Sequence, residues 1–297
     1  MKISIVINDS SGSTEQQETE KLIKEAFDEV NIHYDLFFLK GNEIENKIKN
    51  LITENPDAIV CGGGDGTVSI AAGILSQGKI PLGVLPLGTL NHFAKDIGMP
   101  LDIKEAAKVI ARNRIQKIDI AEVNGRRFIN NSSIGLYPHI VKKRDIDQKE
   151  NNRSKWVAMF FASIATLKNP RLYNVTIKTN EDKAQLSTLF IFVGNNKYIM
   201  KFFNPGTRDR LDEGLLTLCI TRCKTRWCMI RLTFKALFNK LQEENDFEMH
   251  FVEEVTLDTG NKKLSVSMDG EVVKLSSPLT YKILPKILSV IVPERKG

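Results

Sequence analysis

Only four cysteines occur in 297 residues, and Cys61, Cys219, Cys223 and Cys228 show neither zinc-ligand pairing nor the density of a disulfide-built scaffold. No run of about 18 apolar residues exists, so the sequence offers no membrane-spanning helix. The opening stretch Met1 to Asn8 is too short and too strand-like for a signal peptide. The one conspicuous glycine loop is not followed by Gly-Lys-Ser/Thr and lacks GxGxxG order, which excludes a Walker A loop and the usual dinucleotide fingerprint. The basic stretches carry no interleaved aromatics of a known nucleic-acid reader, so nucleic acid is not an expected partner. A cytoplasmic protein is the default expectation.

What is present is an ordinary globular composition, 42% hydrophobic and 26% charged, with a length sufficient for two domains. The net charge of +6 is unevenly spread. Residues 142–178 and 201–240 each hold nine Lys/Arg against three acids, and the rest of the chain is net negative. Such stretches suit a solvated face or attraction to anionic lipid head groups.

The chain is organised around two apolar runs with similar exits. Ala58-Ile59-Val60 leads into Cys61-Gly62-Gly63-Gly64-Asp65-Gly66-Thr67, and Thr67 opens a segment of helical spacing (Val68, Ala71, Ile74, Leu75). Ile80 to Pro86 leads into Leu87-Gly88-Thr89-Leu90-Asn91. Strand, glycine turn and helix N-terminus present backbone N–H groups to phosphate, although the same string also suits a plain β–α connection. Two adjacent exits would line the carboxyl edge of one parallel sheet, where open α/β sheets bind ligands.

The alternation through residue 111 predicts strands at 3–7, 33–39, 58–60 and 80–86, and helices at 19–30, 42–54 and 103–111, hence a parallel α/β sheet. Beyond a strand at 116–123 the pattern turns to strands with hairpin signals, placing a boundary near residue 122. Strands are expected at 174–178, 186–193, 264–268, 271–275, 280–284 and 287–292. Two amphipathic helices interrupt them. Ser154 to Lys168 presents Trp156, Phe160, Ile164 and Leu167. Thr225 to Leu241 presents Trp227, Ile230, Phe234, Phe238 and Leu241, with Arg231 and Lys235 placed to snorkel toward head groups. Core packing is the first reading for both, with membrane contact the alternative.

GGGDGT followed about twenty residues later by PLGTLNHFAKDIGMP resembles the diacylglycerol kinase catalytic-domain family, in particular its soluble bacterial lipid kinases, where the usual forms are GGDGT and PxGTxNDFAR. GGDGT alone also occurs in NAD kinases and phosphofructokinases. The resemblance implies an α/β nucleotide-binding domain of the NAD kinase/diacylglycerol kinase type over 1–122, with the tail 281–297 packed back on it. A C-terminal antiparallel β-sandwich acceptor domain would occupy 123–280, with the active site between the two.

By the same resemblance, ATP phosphates lie on Gly63, Gly64, Asp65, Gly66 and Thr67, helped by Thr89, Asn91 and the first turn Asn8, Ser11 and Gly12, where Asp9 replaces the family's proline. Asp65 and Asp119 belong to a Mg²⁺-centred network, and the family's Asn-Asp pair reads Asn91-His92 here. A structural magnesium is held by Glu213 with the carbonyls of Arg210 and Leu215, in the Leu-x-Asp-Gly-like turn. Glu271, in Asp269-Gly270-Glu271, is the general base with Asp269 assisting it. The implied activity is phosphoryl transfer to a lipid alcohol such as diacylglycerol at an anionic bilayer, by a peripherally associated protein, and a homodimer is left open. Two other readings remain: a nucleotide- or lipid-binding protein without turnover, suggested by His92, and an NAD kinase-like enzyme.

Overall fold

A computed structural model describes residues 1–9, 13–135, 172–179, 182–201, 204–237 and 246–294. Ser11, Gly12 and the expected helix over 154–168 lie outside the described residues. The chain divides into two units, Met1–Ile120 with Leu284–Gly297, and Ala121–Ile283.

In the first unit β1 (Lys2–Asn8), α1 (Ser13–Glu29), β2 (His33–Leu39), α2 (Gly41–Glu54), β3 (Ala58–Gly63), α3 (Asp65–Leu75) and β4 (Leu82–Pro86) alternate. They are followed by α4 (His92–Asp96), α5 (Ile103–Arg112) and the start of β5 (Ile115–Val123). The sheet order is β2-β1-β3-β4, all parallel. Both faces of its centre are covered: every residue of β3 is buried, and so is Ser4 between Ile3 and Ile5. The Ile-Ser-Ile alternation of β1 therefore does not mark a wet face. Helix α2 buries Ile44, Ile48 and Leu51, one stripe at i, i+4, i+7. Helix α5 is capped by Asp102, which accepts from the Glu105 N–H at 3.0 Å.

The second unit is a β-sandwich. Its strands are β6 (Arg126–Phe128), β7 (Asn131–Gly135), β8 (Tyr173–Lys178), β9 (Lys183–Thr188), β10 (Phe190–Asn195), β11 (Ile199–Lys201), β12 (Asn204–Thr207) and β13 (Leu216–Thr221), then α6 (Arg226–Leu237) and β14 (Phe247–Val252), β15 (Glu254–Asp258), β16 (Lys263–Met268), β17 (Glu271–Ser276) and β18 (Leu279–Ile291). An antiparallel sheet β14-β13-β10-β7-β16-β17 contributes Ile134, Val193, Leu218 and Val266 to the core. Strands β8, β15 and the start of β18 answer with Val175, Ile177, Val255, Leu257, Leu279 and Tyr281.

Two expected elements differ. The single strand at 186–193 is two, because the chain changes sheets at Leu189: β9 pairs with β8, whereas β10 pairs with β7 and β13. The Thr188 hydroxyl fixes the break, donating to the Thr221 carbonyl at 2.6 Å and accepting from the Phe190 N–H at 3.1 Å. Conversely the two final strands are one, β18, which passes from the second unit into the first and pairs there in parallel with β4 at Val290↔Leu82.

Candidate active site

Three strand exits lie side by side at the carboxyl edge of the first unit's sheet, since Ile7 is level with Gly62 and Gly63 with Pro86. Gly63 has φ +150°, and a β-carbon there would sit 2.8 Å from the Thr67 hydroxyl oxygen. One on Gly88 would sit 2.5 Å from the Gly64 Cα and 2.9 Å from the Asn91 side-chain oxygen. The β3 and β4 exits thus abut backbone to backbone. Gly64 is the N-cap of α3, and no side chain caps that helix, which leaves its first N–H groups turned to this edge.

The polar side chains cross-brace the two loops. Asp65 accepts from the Phe93 N–H of α4 at 3.0 Å through one carboxylate oxygen. The Thr67 hydroxyl accepts from the Asn8 amide at 2.8 Å, so its own proton stays available to a ligand. Asn91, in the left-handed conformation (φ 51°), donates to the carbonyls of Pro86 and Gly88 at 3.2 and 2.7 Å and accepts from the Gly88 N–H at 2.9 Å. Its amide shapes the loop. Thr89 and His92 are exposed and Gly66 is half-buried. Asp119 is not in water: it is fully buried on β5 and accepts at 2.8 Å from the backbone N–H of Lys286, where β18 bends through φ 55°.

In the second unit Asp269 and Gly270 form the two-residue turn joining β16 to β17, with φ of 46° and 86° and Met268 paired to Glu271. Both Asp269 oxygens are engaged by backbone: one accepts from Ile129 N–H at 2.9 Å, the other from Asn130 and Asn131 N–H at 2.9 and 3.0 Å. Glu271 is exposed, and among the described residues nothing pairs with its carboxylate.

The 208–215 loop holds Arg210 and Asp212 in a two-point ion pair at 3.0 and 3.2 Å. Glu213 stands 3.3 Å from the Lys197 ammonium, and its N–H donates to the Asn196 side chain at 3.1 Å. One carboxylate oxygen thus faces a lysine. Among the described residues, Asp65, Asp119 and Glu213 belong to no cluster of three side-chain donors; that description fits Cys223, Cys228 and Asp246, where the two sulfurs are joined as a disulfide. Spacing alone did not announce this pair, which closes because the first turn of α6 brings Cys228 back toward β13. The other two cysteines are buried thiols, pushed up to about 12 by desolvation.

Of the expected stripe on α6, Trp227 is 69% exposed and Ile230 half-buried, and Phe238 and Leu241 lie outside the described residues. Leu232, which is not in that stripe, is buried with Leu189 and Cys223. Arg231 is ion-paired to Asp246 rather than extended along an apolar surface. Sequence reading also missed a buried polar group behind the hairpin, comprising Asn130, Asn195, Tyr198 and Arg208. Its members fall on three separate segments, with only Asn195 and Tyr198 close in sequence, so no local pattern signals it.

The model for the diacylglycerol kinase catalytic domain matches residues 2–123, and that for the YegS C-terminal NAD kinase beta sandwich-like domain matches residues 140–292. An uncharacterized protein of Synechocystis is 27% identical over 81% of this chain and 56% of its own length. A diacylglycerol kinase of Staphylococcus carnosus is 28% identical over 62% of this chain and 60% of its own. The chain thus spans less than two thirds of either relative. The crystal structure of a diacylglycerol kinase from Bacillus anthracis is similar in fold, with a TM-score of 0.70 at 20% identity, covering 98% of this chain and 97% of that one.

Proposed function

Since the chain belongs to the diacylglycerol kinase catalytic-domain family, we propose that it transfers the γ-phosphoryl group of ATP to the hydroxyl of a membrane lipid, diacylglycerol or a related lipid alcohol. The observation that carries this reading is the pair of abutting glycine exits, which leaves backbone where side chains would otherwise stand. Backbone N–H groups at Gly63–Gly66 take the ATP phosphates, and the Thr67 hydroxyl, oriented by Asn8, donates to one of them. Asn91 serves by holding Gly88 in place.

Asp65 keeps one oxygen for the hydration shell of a magnesium ion while the other ties α4 to α3. Bound Mg²⁺ supplies charge neutralisation for the transferring phosphoryl group. Glu213, with the carbonyls of Arg210 and Leu215, is an oxygen-only set suited to a second, structural ion, in competition with Lys197. Glu271 accepts the proton of the lipid hydroxyl as that oxygen attacks. Asp269 acts on it through the turn that it anchors. The exposed Trp227, with Lys224 nearby, suits contact with an anionic bilayer surface.

The test is transfer of label from [γ-³²P]ATP with Mg²⁺ into a total bacterial lipid extract, resolved by thin-layer chromatography, beside Glu271→Ala. An organic-phase product that the variant does not make supports the reading. Wild-type protein that is stabilised by ATP yet labels no lipid would sink it in favour of a binding role, and labelling of soluble NAD would favour the NAD kinase reading.

A further inference from the structure

Between β6 and β7 the backbone of Ile129–Asn131 is gripped from both sides. On the N–H side lies the Asp269 carboxylate, bonded to three successive amides. On the carbonyl side lies Arg208, 3% exposed, whose guanidinium donates through one nitrogen to the Ile129 carbonyl and through the other to the Asn130 side-chain oxygen at 2.8 Å. The first nitrogen also reaches the Asn195 carbonyl at 3.2 Å, and the guanidinium carbon stands 5.4 Å from the Tyr198 ring centroid. Tyr198 in turn donates its hydroxyl to the Asn130 carbonyl at 2.9 Å.

The peptide group between Ile129 and Asn130 therefore bridges two ionised side chains. Its C=O accepts from Arg208 and its N–H donates to Asp269. A cation at the oxygen and an anion at the hydrogen polarise the peptide in the same sense, so each bond strengthens the other. Burying a guanidinium costs stability unless its donors are met, and here its forked geometry meets three oxygens that a lysine ammonium cannot span together.

What this clamp fixes is the hairpin. Asp269 is the first residue of the two-residue turn, and Glu271 follows directly, with no described partner of its own to set its direction. The geometry points to Arg208 as a positioning residue for Glu271, acting through the 129–131 peptides and Asp269. This inference rests on the reading of Glu271 as the base that receives the lipid proton.

The test compares full-length wild type with Arg208→Lys, Arg208→Met and Asp269→Asn. One readout is hydrogen exchange by mass spectrometry at 129–131 and 269–271; the other is kcat and KM for ATP with diacylglycerol in mixed micelles. In Arg208→Lys, exchange at both segments is expected to rise by about tenfold or more. The kcat is expected to fall by roughly 10–100-fold, with KM for ATP within about twofold of wild type. Asp269→Asn should open the same two segments, and adding Arg208→Lys should reduce kcat little further, because both act on one peptide. Unchanged exchange in Arg208→Lys, a lysine variant that does not fold, or additive losses in the double variant would each overturn the proposal. A wild type that turns over no lipid while the exchange response holds refutes the kinase reading and upholds the anchoring of the hairpin by Arg208.

Discussion

A β-carbon on Gly88 would meet the Gly64 Cα at 2.5 Å, and Gly64 is backbone that cannot swing aside. Gly88→Ala is expected to cost about 1–3 kcal/mol in denaturant unfolding and to diminish the rise in melting temperature that ATP produces. His92 is an exposed first-turn residue, so His92→Asp should change stability by no more than about 0.5 kcal/mol. A carboxylate there adds a hard oxygen beside Asp65, and turnover at limiting Mg²⁺ is expected to rise; a fall would count against the magnesium reading of this edge. The thiols are separable by reagent. Folded protein near pH 8 should leave Cys61 and Cys219 unmodified, since burial pushes both up to about 12. Unfolding without reductant should expose those two thiols, and reduction should add the pair from Cys223 and Cys228.

At the scale of the element, the β15–β16 connection carries a pH signature. Asp258 accepts from the Gly260 N–H at 2.9 Å and the Ser277 hydroxyl at 3.0 Å, which together hold its carboxyl below the ordinary value. A folded pKa below the unfolded one means that this contribution is fully present above about pH 3.9 and is lost as pH falls through the folded value. Asp258→Asn should therefore lower the urea midpoint at neutral pH and draw level with wild type in acid. Helix α6 offers a different test. Trp227→Ala is expected to weaken sedimentation with phosphatidylserine vesicles while leaving the unfolding midpoint nearly unchanged, because the ring is 69% exposed. The periodicity of residues 225–241 was legible as amphipathic, but which side packs was not. Among the side chains described on α6, Leu232 goes inside, and Arg231 turns to Asp246 from β14's approach rather than along an apolar stripe.

For the whole molecule, the return of the chain's end is the decisive feature. Leu288, Val290, Ile291 and Val292 are all buried, Val290 lies level with Leu82, and the Val292 N–H donates to the Arg114 carbonyl at 2.9 Å. Four such side chains contribute about 1.5–3 kcal/mol each, comparable with the entire stability of a typical domain. A chain ending at Ile283 should lose the cooperative unfolding of the first unit and any stabilisation by ATP, as scanning calorimetry would show. Retained ATP stabilisation would mean that the phosphate-binding edge stands without β18.

Apart from the short helix α4, the order of strands and helices through α5, the glycine exits and the Asp269-Gly270 turn were decided by the sequence alone. Each depends on periodicity or backbone freedom within a few residues, which a local pattern carries in full. Tertiary structure decided what the polar residues do. Asp65 meets Phe93 at a separation of 28 residues, Arg208 meets Asn130 at 78, Asp269 meets Ile129 at 140, and Asp119 meets Lys286 at 167. A carboxylate's partner is whichever donor the fold brings to hydrogen-bonding distance, and no spacing along the chain encodes that meeting.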